Sequence, residues 1–434
     1  MKKIYGIILL CALLVCAALL SSCRTGMSDE PRPPFENPLA HTDDACVAHD
    51  FKKDVCQICG ATKTPSEGLE FKPSDNGVGV MVSGIGQCKD TQLIIPDTYD
   101  GQKVVGVYRN AFGNDRSITA VFLPQTATSI GDYAFQGCTH LVKVSCPSGI
   151  ESLGRAAFSG CFRLSDMMLP SSLTVIGDGA FQNCTAFDVT FWPDNLTALG
   201  GSAFEKCQSL TNANLPNTVT SIGYNAFYGC QGLTSVVVPN KITMLDSGVF
   251  GYCSNIKKLT LPASLIEVNG SFSGCDGLEE VHFMGTLEQW CRLSFGKEDN
   301  PVYKTHHLYL GNELLQGEIR IPEGVKQLGR YCLAGNMDII GVILPVGFES
   351  TSSAFTDCEN LAYVVYEGAI RLIGVTEYEG TAVTAVYMNR TEEEAGNDAA
   401  YIKGFTKNSG IQAYWLPGWE YDENHVPHPV GQES

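Results

Sequence analysis

The residues best suited to chemistry lie near the start of the chain, in Cys46-Val-Ala-His49 and, after six intervening residues, Cys56-Gln-Ile-Cys59-Gly60. Thiolate and imidazole are zinc donors, and each pair, with two residues between its members, can bite one metal from a tight turn. Four protein ligands leave no open coordination position, so a zinc held by Cys46, His49, Cys56 and Cys59 is a structural cofactor. The same cysteines in an exported chain also suit a disulfide from Cys46 to Cys56 or Cys59, with His49 a plain surface residue. Free thiols are the third reading. A second temptation is His306-His307, but adjacent residues on a strand face opposite ways and make poor co-ligands. No Gly-x-Ser-x-Gly elbow, His-Glu-x-x-His or phosphate-cradling Gly-x-x-x-x-Gly-Lys occurs in the chain. The residues point to binding rather than catalysis.

More cysteines keep a regular beat: Cys138, Cys161, Cys184, Cys207, Cys230, Cys253 and Cys275. Phe112, Phe135, Phe158, Phe181, Phe204, Phe227 and Phe250 are spaced 23 apart, and Phe272 follows 22 later. The unit at residues 221–239, SIGYNAFYGCQGLTSVVVP, shows what each position does. Val236 and Val238 are two apart, so on a strand they point to one side, into a coil. Leu233, Ala226 and Phe227 close the same interior, where Phe227 is worth roughly 1.5–3 kcal/mol if fully buried. Gly223 suits a tight corner, and Pro239, lacking an N–H, sits where pairing stops. One such coil cannot bury its own faces, so neighbours must stack. The fold class predicted is a repeat solenoid, mainly β, whose coils of about 23 residues stack a long parallel sheet, with irregular arcs and few helices. Identical inward cysteines in register read as a column of small buried hydrophobes rather than a redox or metal device.

The form of the repeat, with Ala-Phe-x-x-Cys and a Pro after the strand, resembles the BspA-like (Treponema-type) leucine-rich repeat family of bacterial surface proteins. The resemblance covers about residues 85–370. It implies attachment to host matrix or to other bacteria.

The domain organisation follows from the remaining sequence. Met1-Lys2-Lys3 and an apolar run from Ile7 to Leu20 read as an export signal, too short for a comfortable membrane span. It ends Leu20-Ser21-Ser22-Cys23, which looks like a lipobox, so residues 1–23 are read as a lipoprotein signal peptide and Cys23 as the lipidated residue. Residues 24–44, with four prolines, read as a disordered spacer. The small Cys/His knuckle takes 45–63. An N-terminal cap spans 68–103, regular repeats 104–285, a variant repeat insertion with Trp290 and a Leu-Tyr-Leu-Gly-Asn hairpin 286–324, further repeats 325–374 and a C-terminal cap 375–434. Asp115 stands where later copies have Cys, as fits a less buried terminal repeat. The chain is predicted to hang from the bacterial envelope on its N-terminal lipid, outside the cytoplasm.

The formal net charge of −18 over 434 residues argues against phosphate backbones and anionic headgroups as main partners, so no nucleic acid is expected. A protein ligand on a host or neighbouring cell is expected instead. Residues flanking the inward valines point outward and align from coil to coil: Phe122, Ser145, Met168, Phe191, Asn214, Val237, Thr260 and His282. Phe122, Met168, Phe191 and Val237 would expose apolar area there, as interaction sites do. At Phe191-Trp192 a threonine, Thr190, occupies an inward slot, and the local register could differ. The alternative function is glycan capture for nutrient uptake, with Trp290, Trp415 or Trp419 as stacking platforms, and a third is a non-catalytic envelope scaffold.

Overall fold

In the unit at residues 221–239, the chain enters as the strand Ser221–Ile222, turns through an arc and leaves as the strand Ser235–Val237. The arc is built from two left-handed residues, Asn225 (φ 52°) and Gly229 (φ 70°), which turn Ala226, Phe227 and Cys230 inward to complete burial. The same two positions are left-handed in the neighbouring coils, at Ser202 and Lys206 before it and at Gly248 and Tyr252 after it. Val236 and Val238 are buried and Val237 is exposed, as the period of two requires.

The structure is a computed structural model that describes residues 64–368, 378–395 and 409–415 continuously. Outside these it describes isolated positions between 399 and 407, and the backbone of the short strands Phe51–Lys52, Val55–Cys56, Trp419–Tyr421 and Pro427–Pro429.

Because each coil contributes two strands, two sheets form where the sequence reading expected one. The front sheet takes the Val-x-Val strands. Gln92–Ile94, Ala120–Phe122 and Lys143–Ser145 pair in parallel, and the pattern resumes with Ser235–Val237, Lys258–Leu261 and Glu280–Phe283. The back sheet takes the Ser-Ile strands, from Val80–Gly84 through Gln102–Val107, Ser129–Ile130, Ser152–Leu153, Val175–Ile176 and Ala198–Leu199 to Ser221–Ile222. At one end Glu70–Pro73 pairs antiparallel to Val80–Gly84 and is the last strand of this sheet.

The core is a column of rings. From Phe112 to Phe272 each phenylalanine stacks on the next with centroids 5.2–6.2 Å apart and planes within 15° of parallel. Stacking of this kind adds about 0.5–1.5 kcal/mol per pair to the burial term. Beside it runs the cysteine column, and here the residue type has a reason beyond size. Each thiol donates to the carbonyl of the phenylalanine one coil back: Cys161 to Phe135 at 3.1 Å, Cys184 to Phe158 at 3.0 Å, Cys230 to Phe204 at 3.0 Å. The corner glycine also has a different reason from the one expected. Gly223 has no positive φ, but a Cβ there would lie 2.4 Å from the backbone nitrogen of Gly201 in the preceding coil. Close stacking, not corner geometry, demands it. Asp115 is half-buried, and its Oδ1 accepts from the backbone N–H and hydroxyl of Ser117.

The rhythm breaks at two short helices, α1 (Leu287–Trp290) and α2 (Pro301–Thr305). Thr286 and Gln289 form a capping box on α1, and the Asn300 side chain caps α2, with Pro301 opening its first turn. Tyr309–Leu310 and Glu313–Leu314 then pair antiparallel as the expected hairpin. Beyond it a third parallel sheet runs Gly317–Arg320, Ile339–Leu344, Tyr363–Tyr366, Ala385–Met388 and Gln412–Trp415, so strand pairing continues past Gly374, where the repeat fades from the sequence.

Candidate functional site

Along the outward face of the front strands, burial separates a closed region from an open one. Ala120, Val121, Phe122 and Leu123 are all buried, so both faces of that strand are covered. Phe122, expected to be exposed, is 3% exposed. The period within one coil says which way a side chain points but nothing about what lies over it, and at this end the sheet is covered. His282 is buried against Tyr309 with ring centroids 4.6 Å apart, and in the third sheet Ile343, Val365 and Tyr387 form a separate buried cluster on the outward side. Between these ends the face is open from Ser145 to Val237.

Met168 (72% exposed), Phe191 (73%) and Val237 (47%) lie in this open window, with exposed Asn214 between the last two. Met168 and Phe191 stand on consecutive coils and line a shallow cleft of about 30 Å³ with Met167, Leu169, Val189 and Thr190. Ion pairs bracket the window: Lys143 to Asp166 at 3.0 Å on one side, Lys258 to Glu280 at 2.7 Å on the other. Glu280 also accepts from His282 (3.0 Å), and its two hydrogen bonds, that from Lys258 foremost, hold its carboxyl below the usual carboxylate range. The apolar residues therefore sit between paired charges.

The front sheet is interrupted in this window. Among the described residues only a single bridge, Lys143 to Asp166, continues it before Ser235–Val237. Side chains take over the backbone groups: Asp188 accepts from the N–H of Val189 (2.8 Å) and of Thr211 (2.9 Å), and Asn212 from that of Asn214 (2.8 Å). The strand is also shifted here, with Trp192 in the slot that Val238 fills two coils on. Its ring packs edge-on to Phe204 at 5.3 Å and its indole N–H reaches the Asn212 carbonyl at 3.2 Å. The shift turns Val189 inward and leaves Thr190 exposed, so the register does differ at this coil.

The other sequence candidates separate. Cys23, Cys46, His49 and Cys59 lie outside the described residues. Cys56 is described by its backbone alone, in the antiparallel pair Phe51–Lys52 and Val55–Cys56. His306 and His307 do not share a strand: His306 ends α2 in the left-handed conformation with Nδ1 2.9 Å from the Gly335 carbonyl, and His307 Nδ1 lies 2.7 Å from Asp338. Trp290, offered as a sugar platform, is fully buried and donates from Nε1 to the Cys332 carbonyl at 2.8 Å, because α1 turns its apolar face into the core. Trp415 is half-buried beneath the Arg390 guanidinium, 5.8 Å from its ring. The side chain of Trp419 lies outside the described residues. Burial pushes the column thiols up, Cys138, Cys230, Cys275 and Cys358 each to about 12, so they stay protonated and unreactive at neutral pH. Among the described residues no cluster of His, Cys, Asp or Glu could hold a metal, and no helix is long and apolar enough to cross a membrane.

Stacked coils with a parallel front sheet, an inward phenylalanine column and a partly open face define a leucine-rich repeat solenoid, a scaffold fold that presents surface. The chain belongs to the BspA type leucine rich repeat region family, whose model matches residues 106–197, 187–300 and 312–403. Proteins with this repeat are usually bacterial surface proteins, and the family and fold are typically non-catalytic. No curated protein matches the chain. Among solved structures it is similar to a leucine-rich repeat protein of T. pallidum, at 30% identity over 50% of this chain and 91% of that one, with a TM-score of 0.39. It is also similar to a leucine-rich repeat protein from Bacteroides ovatus (21% identity, 80% and 98% covered, TM-score 0.48) and to the pneumococcal vaccine antigen PcpA (17%, 81% and 97%, 0.41).

Proposed function

We propose that this chain is a lipid-anchored bacterial surface protein that adheres to a protein partner through the open window of its front face. The observation that carries the reading is the pair Met168 and Phe191, each more than 70% exposed on consecutive coils. Large apolar side chains grouped on an otherwise polar face mark interaction sites, and aromatic and methionine side chains are enriched in interface cores. The bracketing ion pairs would form the polar rim around them.

Binding of the full chain, purified in detergent, to arrays of matrix proteins and polysaccharides tests the proposal. Saturable protein binding that falls by tenfold or more in Met168→Ser/Phe191→Ser, with unchanged unfolding behaviour, supports it. Protein binding insensitive to both substitutions sinks the assignment of the window, and binding to polysaccharides alone sinks adhesion to protein. Lipidation at Cys23 is tested by detergent-phase partition in cells: Cys23→Ala should move the protein to the aqueous phase.

A further inference from the structure

The back face carries a second, chemically different feature beside the variant repeat. A cleft of about 620 Å³ is lined by Arg292, Ser294, Gln327, Leu328, Gly329, Arg330, Ser352 and Ser353. The stacking rule fails beside it. Gly329 is packed so tightly that a Cβ would lie 1.8 Å from the Leu293 carbonyl, but the next coil has Thr351 where the regular unit has glycine. Ser353 (φ 59°) is left-handed as its position is in every coil, but Ser352 (φ 50°) before it is left-handed where the regular unit is not, a conformation that costs a non-glycine residue energy.

We infer that this cleft binds an acidic sugar, with the Arg330 guanidinium on its carboxylate and the surrounding hydroxyls and amide on its ring. Arg330 has no carboxylate partner among the described residues, in a chain whose net charge is −18. Its backbone is fixed on both sides, the N–H donating to Ser294 Oγ at 3.1 Å and the carbonyl accepting from the Phe295 N–H at 2.9 Å. The guanidinium rests over the Tyr331 ring, 5.0 Å from its centroid. Such a donor fork is held ready for a planar oxyanion. Arg292 lines the same cleft but shares its charge with Glu288, whose Oε1 accepts at 2.6 Å, so it adds to the field without being the anchor. Leu328 turns its side chain into the core, so the side chains lining the cleft are those of serine, glutamine and arginine, and the cleft is open to solvent. That combination suits a hydroxylated ring bearing one negative group.

The inference is independent of the adhesive window and can fail separately. The full chain in detergent is titrated calorimetrically with glucuronic acid, a polymer of glucuronic acid, glucose and sodium sulfate. The expected result is saturable binding of glucuronic acid, tenfold or more weaker in Arg330→Gln, unchanged in Lys241→Gln on a distant coil and unchanged in Met168→Ser/Phe191→Ser. Tighter binding of the polymer than of the monosaccharide would identify a chain rather than a free sugar as the source. Sulfate binding as well as glucuronic acid, meaning an adventitious ion only, would overturn the inference. So would glucose binding equally well, no saturable binding, or full affinity in Arg330→Gln. Arg330 is exposed, and a thermal melt of the variant confirms that loss of binding is not loss of fold.

Discussion

Gly223→Ala puts the stacking argument at risk. An added methyl would lie 2.4 Å from the Gly201 nitrogen, 2.7 Å from the Gly200 carbonyl carbon and 2.7 Å from the Gly201 Cα, all backbone atoms of the adjacent coil. To reach ordinary contact at roughly 3.4 Å the two coils must part locally by about 1 Å. Backbone cannot rotate aside as a side chain can, so the cost falls toward the upper end of overpacking, about 1–3 kcal/mol. Against it stands about 0.4–1 kcal/mol gained by restricting the unfolded chain. The net expectation is a loss of about 2 kcal/mol. Urea unfolding of the full chain should show a lower midpoint with an unchanged slope. Hydrogen exchange should accelerate at the Gly223 amide, which donates to the Leu199 carbonyl at 2.9 Å. Gly154, Gly177 and Gly200 are under the same constraint, with Cβ contacts of 2.5, 2.8 and 2.4 Å to backbone, and should behave alike. A change within about 0.5 kcal/mol of zero, the ordinary range for surface substitutions, would refute the claim that close approach of coils is what selects glycine here.

Other substitutions and conditions give separate checks. Lys206 is left-handed (φ 60°) where other coils have Gly160 or Gly229, so Lys206→Gly should raise stability by about 0.5–1 kcal/mol in the same urea assay. The column thiols have folded pKa values raised by burial to about 12 from an ordinary 9.0, so their contribution is complete below pH 9 and is lost as pH climbs toward 12. Each buried thiol then removes about 1.4 kcal/mol per pH unit in that window, and thiolate absorbance should appear only together with unfolding. For Cys46, His49, Cys56 and Cys59, a zinc site predicts metal released stoichiometrically by a chelator and lost in Cys59→Ser, whereas a disulfide predicts no metal and a mass gain on reduction and alkylation.

The tryptophans and the outward column illustrate the limits of reading a chain in one dimension. Trp290 and Trp415 share a residue type that suits sugar stacking, yet one is wholly buried by α1 and the other half-covered by Arg390. Phe122, Met168 and Phe191 occupy equivalent places in their repeats, yet only the last two meet solvent.

What the sequence determined alone is everything that recurs with the period. Phe112 to Phe272, the cysteines beside them and the valine pairs repeat about every 23 residues, and a period of that length with no self-sufficient core has stacking as its solution. Inward and outward were readable for the same reason, because a strand alternates every residue. Only the tertiary structure decided what depends on the contact between coils or on segments far apart in sequence. The thiol-to-carbonyl bonds and the crowding at Gly223 exist only between neighbours in space. The cover over Phe122, the inward turn of Val189 beside Trp192, and the cleft beside Thr351, which stands where the repeat has glycine, are departures from the repeat. A period describes what coils share, and in this protein the exposed window and the cleft lie where they differ.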